Sequence, residues 1–192
     1  MSDFDMVIRG GTVVNAAEIS KCDVGVKGGR IVALGENLTA GAQEIDATGK
    51  YVMPGGIDSH CHIDQRSSGG GRNSETFESG TRSAACGGTT TIICFAAQEK
   101  GELLTPVVEE YHDKAKQSCI DYSFHLIISD PSDEVMHEEV PKLIKAGHRS
   151  LKLFMTYPRN RLNDAEILRV LEVAKLNQAL VCVHAENHDA IM

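Results

Sequence analysis

Met53-Pro54-Gly55-Gly56-Ile57-Asp58-Ser59-His60-Cys61-His62-Ile63-Asp64 is the stretch around which the rest of the chain is arranged. Pro-Gly-Gly breaks any preceding element, and the short apolar run after it predicts a loop feeding a β-strand. Side chains alternate faces along a strand, so His60 and His62 are expected to close this strand and point the same way. Two imidazoles on one side can offer two nitrogens to a single divalent metal, whereas Cys61 faces away. An HxH pair also occurs as plain polar residues at a strand end, so its meaning depends on the remaining chain.

Working outward toward the N-terminus, the pattern is short and β-rich. Residues 5–15 predict two brief strands around Gly10-Gly11, and residues 22–35 two more around Gly28-Gly29. Residues 44–52 continue this meander of hairpins up to the breaker, giving a small β domain over residues 1–53. Strands this thin make a marginal core and call for a partner layer.

Toward the C-terminus the character changes. Apolar runs begin near Ile57, Thr89, Tyr122, Leu151 and Leu180, about thirty residues apart, which is the length of a βα unit. Amphipathic stretches lie between them at 75–86, 104–118, 134–146 and 164–177, the last opening on an Asn163/Glu166 capping box. The runs 89–96 and 179–183 are apolar on both faces, as expected of parallel strands covered by helices. A β/α barrel and an open doubly wound sheet both fit residues 54–192. Gly69-Gly70-Gly71 lacks the lysine and the preceding strand of a phosphate-binding loop and is expected to be a mobile loop.

The formal charge of -8, from 19 Lys and Arg against 27 Asp and Glu, argues against a nucleic-acid or acidic-lipid partner. With neither a secretory leader nor an apolar run of membrane-spanning length, the expected location is the cytoplasm. Six scattered cysteines without a CxxC pair fit small buried hydrophobes in a reducing compartment. Of the eight histidines, His112 and His137 are expected at the surface and His125 and His148 as satisfied structural residues. His60, His62 and His184 remain.

In a β/α barrel the active site gathers at the C-terminal strand ends. His60 and His62 close the first strand there, and His184 ends the fifth. Lys152 lies between apolar neighbours in the fourth. Burying its ammonium costs several kcal/mol unless it is paired, for example with Asp58 or Glu186, or is neutralised or chemically changed.

Four motifs in order, Pro54-Gly55-Gly56-Ile57-Asp58-x-His60-x-His62, Gly87-Gly88-Thr89-Thr90, Ser150-Leu151-Lys152-Leu153-Phe154-Met155-x-Tyr157 and His184-Ala185-Glu186-Asn187, resemble the cyclic amidohydrolases, in particular the dihydropyrimidinase and D-hydantoinase branch. The resemblance runs from about residue 4 to 192. It implies an α/β fold, a (β/α)8 TIM-like metallohydrolase barrel with about the first five units present, preceded by half of a small β-sandwich domain. It implies two divalent metals, usually zinc with manganese as the alternative. His60 and His62 would bind the first, His184 the second, and Lys152, carboxylated by carbon dioxide, would bridge both. A hydroxide between the ions would attack the ring amide of a small cyclic ureide or imide, with Tyr157 donating a hydrogen bond to the developing oxyanion.

The resemblance further implies a homo-oligomer, commonly a tetramer, and a remainder of the barrel beyond Met192 that holds the second-site histidine and the catalytic aspartate. The 192 residues are therefore expected to be an inactive fragment. Residues 64–72 are polar and glycine-rich where this branch commonly has apolar groups near the substrate's exocyclic substituent. Allantoinase is an alternative. Dihydroorotase is disfavoured by Asp64, where an arginine is typical, and a non-enzymatic assembly protein by the retained His60, His62, Lys152 and His184.

Overall fold

A computed structural model describes residues 2–66, 71 and 73–192, so the predicted loop at Gly69-Gly70 lies outside the described residues. The chain divides into two compact units, Met1–Gly55 and Gly56–Met192.

The first unit is one five-stranded sheet of β1 (Phe4–Val14), β2 (Ile19–Lys27), β3 (Arg30–Gly35), β4 (Gly41–Asp46) and β5 (Tyr51–Val52). Its order is β3-β2-β1-β4, with β5 also on β1. The expected Gly-Gly turn is absent: β1 runs through Gly10-Gly11 as one strand, and its register against β2 shifts between Ile8 and Gly11. Gly10 sits at φ 65°, a conformation glycine adopts without steric cost, which permits a bulge. The Gly10 N–H donates to Asp23 Oδ1 at 2.9 Å, and Arg9 pairs with the other Asp23 oxygen. The expected meander also fails after β3. β4 and β5 pair in parallel with β1 on either side of the bulge, through Phe4 to Arg9 and through Thr12 and Val13.

The second unit alternates strand and helix: β6 (Gly56–Asp58), α1 (Phe77–Cys86), β7 (Thr89–Ala97), α2 (Leu104–Ala115), β8 (Asp121–Ile127), α3 (Val140–Lys145), β9 (Ser150–Phe154), α4 (Asp164–Leu176), β10 (Leu180–His184) and α5 (His188–Ile191). The strands lie in the order β10-β9-β8-β7-β6, all parallel. A doubly wound sheet reverses its strand order at a switch point, and this one does not. Successive right-handed crossovers without a reversal put every helix on one face, so the sheet curls as a barrel wall.

Alternate residues face the helices: Ile92, Cys94 and Ala96 of β7, Phe124 and Leu126 of β8, Leu151 and Leu153 of β9 are all in the buried core. The opposite face carries Phe95, His125 and Lys152. Helix α4 opens on the expected box, with Asn163 accepting from the Glu166 N–H and Glu166 from the Asn163 N–H.

Three expectations need correction. The 134–146 helix begins as a π-helical turn, Val135–Glu139. That turn faces Glu139 inward, where its carboxylate accepts from the Leu104 and Thr105 N–H groups at 2.6 and 3.0 Å and caps α2. β10 is an edge strand, with Leu180 and Val183 exposed and not covered on both faces. His112 is half-buried, packed on Tyr122 and Phe124 with Nε2 3.2 Å from His148 Nε2. His137 is exposed and His125 is buried, as expected.

Candidate active site

Strand β6 ends at Asp58, so His60 and His62 sit in the loop just beyond the strand and not within it. Strand alternation therefore cannot be what orients them. Asp58 Oδ1 accepts the His60 N–H at 3.0 Å, and His125 Nε2 lies 2.8 Å from the Ser59 carbonyl oxygen. A carbonyl only accepts, so Nε2 of His125 carries the proton and Nδ1 accepts from the Ser150 hydroxyl at 2.6 Å. These bonds fix the loop so that His60 and His62 both pack on Phe95, with ring centroids 4.7 and 4.8 Å away and 5.4 Å from each other. Cys61 points the other way into the helix-side core, its Sγ 3.4 Å from Cys94 Sγ.

His62 Nδ1 is held by Gln65 Oε1 at 2.6 Å, the kind of partner that sets a ligand imidazole's tautomer and orientation. Desolvation, then the neighbouring His62, Lys152 and His125, hold the His60 imidazole below its usual pKa. The neutral ring that results is the form that ligates metal.

Lys152 is 8% exposed and lies on the same inner face. Among the described residues no carboxylate pairs with it, so the expected alternative of an ion pair with Asp58 or Glu186 is not realised. Its Nζ stands 4.9 Å from the Phe154 ring centre and 6.0 Å from that of Phe95. Phe154 in turn stacks on His184 at 5.6 Å, and the register places Cys182 beside Lys152 and His184 beside Phe154. Lys152 thus stands between the His60/His62 pair and His184. The His184 Nε2 contacts Glu186, leaving Nδ1 as its other donor.

Among the described residues no three His, Cys, Asp or Glu side chains are grouped closely enough to hold a metal by themselves. The donors that could hold a metal are the imidazoles of His60 and His62 and, across the sheet, that of His184.

Tyr157 follows β9 at φ 68°, a left-handed backbone that a bulky residue adopts at a cost of about 1–3 kcal/mol and that concentrates at functional sites. Its carbonyl accepts from the Asn160 and Arg161 N–H groups at 2.9 and 2.8 Å, and its ring lies 5.0 Å from that of His184. Tyr157 and His62 both line a cleft of about 790 Å³. Gln98 at its base, 2% exposed, accepts from the Ser129 and Asp130 N–H groups and donates to the Glu102 carbonyl, tying the loops after β7 and β8 together. No local signal in the sequence marks Phe95 or Gln98. Phe95 looked like one more apolar strand residue, and only its position on the inner face distinguishes it.

Residues 51–192 match the Amidohydrolase family. The chain belongs to the amidohydrolase family. That family is metal-dependent. Among its members, this amidohydrolase is similar to the D-hydantoinase of Geobacillus stearothermophilus, 48% identical over 189 residues that cover 96% of this chain and 40% of the relative. It is 40% identical to the D-phenylhydantoinase of Escherichia coli over 190 residues, 97% of this chain and 41% of the relative.

A solved structure of D-hydantoinase superposes with a TM-score of 0.93 at 42% identity, covering 97% of this chain and 41% of that one. The dihydropyrimidinase from Brevibacillus agri superposes with a TM-score of 0.90 at 43% identity, covering 96% and 40%. The chain spans about two fifths of the length of these relatives. The amidohydrolase fold is the TIM-like (β/α)8 barrel, represented here by five parallel strands with their helices and preceded by a small β unit. No helix among the described residues is long and apolar enough to cross a membrane.

Proposed function

We propose that the protein is a metal-dependent cyclic amidase that opens the ring amide of dihydropyrimidines and hydantoins, and that its centre is assembled on His60, His62, Lys152 and His184. The observation that carries this reading is the buried Lys152 amine, without a carboxylate partner among the described residues, on the sheet face between Phe95, which carries His60 and His62, and Phe154, which stacks on His184. Relatives named for hydantoinase activity at 40–48% identity support the substrate class.

In this reading the Lys152 side chain would be carboxylated by carbon dioxide, with the displaced proton passing to solvent, and would then offer anionic oxygen donors in place of an ammonium. His60 and His62 would offer imidazole nitrogens to one ion and His184 to the other. The imidazole and carboxylate-type oxygen donors suit two divalent ions, zinc foremost and manganese next. When bound, such ions supply Lewis-acid polarisation of the carbonyl and an acidified water at neutral pH.

The Tyr157 hydroxyl, at the edge of the cleft beside His184, donates to the carbonyl oxygen as it gains charge. Removing one such donor typically costs about 10²–10³-fold in turnover. Gln65 and His125 hold the His60–His62 loop in place, one through the His62 ring and the other through the Ser59 carbonyl. The partner is a small cyclic amide rather than nucleic acid or a membrane. We further assign a cytoplasmic location and a homo-oligomeric, tetrameric assembly.

The test is to reconstitute the protein with zinc or manganese and bicarbonate, count bound metal by atomic emission, and assay dihydrouracil and hydantoin. Metal bound in proportion to carbamylated Lys152, with ring opening, is expected. Absence of metal uptake by folded protein would sink the reading.

A further inference from the structure

Two thiols meet behind the histidine loop. Cys61 Sγ lies 3.4 Å from Cys94 Sγ on the helix side of the sheet. Cys61 is half-buried, whereas Cys94 has no exposed surface. The register that sets Asp58 beside Ile92 brings Cys61 over Cys94, just past the end of β6. Among the described residues the remaining cysteines meet no second thiol: Cys22 lies against the Ser20 hydroxyl, Cys119 against that of Thr81, Cys182 against that of Ser150, and Cys86 is exposed.

The segments that carry this pair also carry the candidate ligands. Cys61 stands between His60 and His62 in the chain, and Cys94 directly precedes Phe95, on which both imidazoles pack. A bond between the two sulfurs would therefore join, from the opposite face, the same two stretches of backbone that set the histidine rings.

We infer that Cys61 and Cys94 are a peroxide-responsive thiol pair whose disulfide loosens the hold of the His60–His62 loop on metal. The pair stands on its own geometry, and its effect on metal rests on the reading of His60 and His62 as ligands given above. Hydrogen peroxide reaches Cys61 first, because Cys94 is enclosed. The Cys61 sulfur attacks the peroxide, the O–O bond breaks, and the sulfur is oxidised to a sulfenic acid while the other oxygen leaves as water with the thiol proton. The Cys94 sulfur then attacks the Cys61 sulfur, the S–O bond breaks, and the hydroxyl departs as a second water with the Cys94 proton. Two thiols and one peroxide thus give one disulfide and two waters. A dithiol reductant reverses the step by exchange.

A disulfide holds its sulfurs about 2.05 Å apart, so this contact closes by roughly 1.3 Å when the bond forms. That draws the loop toward β7. Ligand distances around a metal are set to within about 0.2 Å, so a shift of even part of that length takes His60 and His62 off the positions that share an ion.

The experiment treats the reduced protein with hydrogen peroxide, maps its peptides by mass spectrometry after blocking free thiols, and measures zinc affinity before and after. A cross-linked peptide joining Cys61 to Cys94, two hydrogens lighter than its separate parts, is expected, with zinc affinity lowered about tenfold or more and both changes reversed by dithiothreitol. Cys61→Ser should give no cross-link and should keep under peroxide the zinc affinity of the reduced wild type. Cys94→Ser should stop at the Cys61 sulfenic acid, which a cyclic dione captures.

Absence of the cross-link in folded protein would overturn the inference. So would a cross-link that leaves zinc affinity unchanged, or a loss of zinc under peroxide that persists in Cys61→Ser. Zinc uptake by the reduced protein reports separately on the metal centre. Its absence would remove the cyclic-amidase reading and the effect on metal with it, while the cross-link would still decide the thiol pair.

Discussion

At the scale of single residues the proposed site depends on one buried amine. Lys152 is 8% exposed with no carboxylate partner among the described residues, and the carboxylation proposed above would relieve that burial. Lys152→Ala should therefore lower metal affinity by about 100-fold or more, since even outer partners of metal ligands are worth 10–100-fold. A short added carboxylate should restore part of the bound metal. Full metal content in the alanine variant without additive would refute the bridge. A second prediction separates neighbours in sequence. Cys61 packs against Cys94 in the helix-side core while His60 and His62 lie on Phe95, so Cys61→Ser should keep its metal and His60→Ala should lose it, both read by atomic emission on folded protein. The candidates at this scale come from local signals: HxH, a lysine among apolar neighbours and a strand-terminal histidine. What orients the histidines was not legible: His125 acts on Ser59 from 66 positions away.

Elements depend on one another through polar side chains that cross between them. Helix α2 starts at Leu103 with no side-chain cap of its own, and Glu139 from the π-helical turn takes its first N–H groups instead. Glu139→Ala should cost about 1–2 kcal/mol in urea unfolding, the usual value of a helix cap whose removal orphans buried donors. An unchanged midpoint would show the cap to be idle. The His112–His148 contact ties α2 to the segment before β9 and makes stability depend on pH. Burial, and then the adjacent His112, hold His148 below the ordinary histidine pKa. Between that lowered value and the unfolded value of about 6.5 the unfolded chain binds more protons, so the contribution is complete above about pH 6.5 and is lost as pH falls through the folded pKa. The loss should not exceed about 1.4 kcal/mol per pH unit, and His148→Gln should flatten the profile between pH 7 and 5. An equal slope in wild type and variant would place the effect elsewhere. Neither device could be read from the sequence. Glu139 looks like an ordinary helical polar residue until the elements are packed, and His148, expected as a satisfied structural residue, instead lies before β9 with Nδ1 buried and without a hydrogen-bond partner among the described residues.

For the molecule as a whole, β10 pairs among the described residues on one side only, with β9, and leaves Leu180 and Val183 exposed, and Leu168, Leu171 and Leu176 of α4 are exposed as well. A strand edge beside apolar surface is a template for pairing. Residues 1–192 on their own should therefore associate as concentration rises, and Val183→Lys together with Leu180→Lys should reduce the light-scattering mass. A monodisperse monomer at high concentration would contradict this. The sequence by itself determined the succession of five strand-helix units, because parallel buried strands and amphipathic helices leave local periodicities with starts about thirty residues apart. It also determined, by the capping box at Asn163, where α4 begins. Only the tertiary structure decided three things: that β1 runs through Gly10-Gly11 as a bulged strand, that β4 and β5 pair with it in parallel, and that the inner sheet face gathers Phe95, His125 and Lys152 around the histidine loop. The physical reason is range. Periodicity and capping act within a few residues and are written locally. A Gly-Gly pair reads alike as a turn or a bulge until a distant carboxylate, here Asp23, takes up the freed N–H, and which side chains meet across parallel strands is set by register between segments thirty or more positions apart.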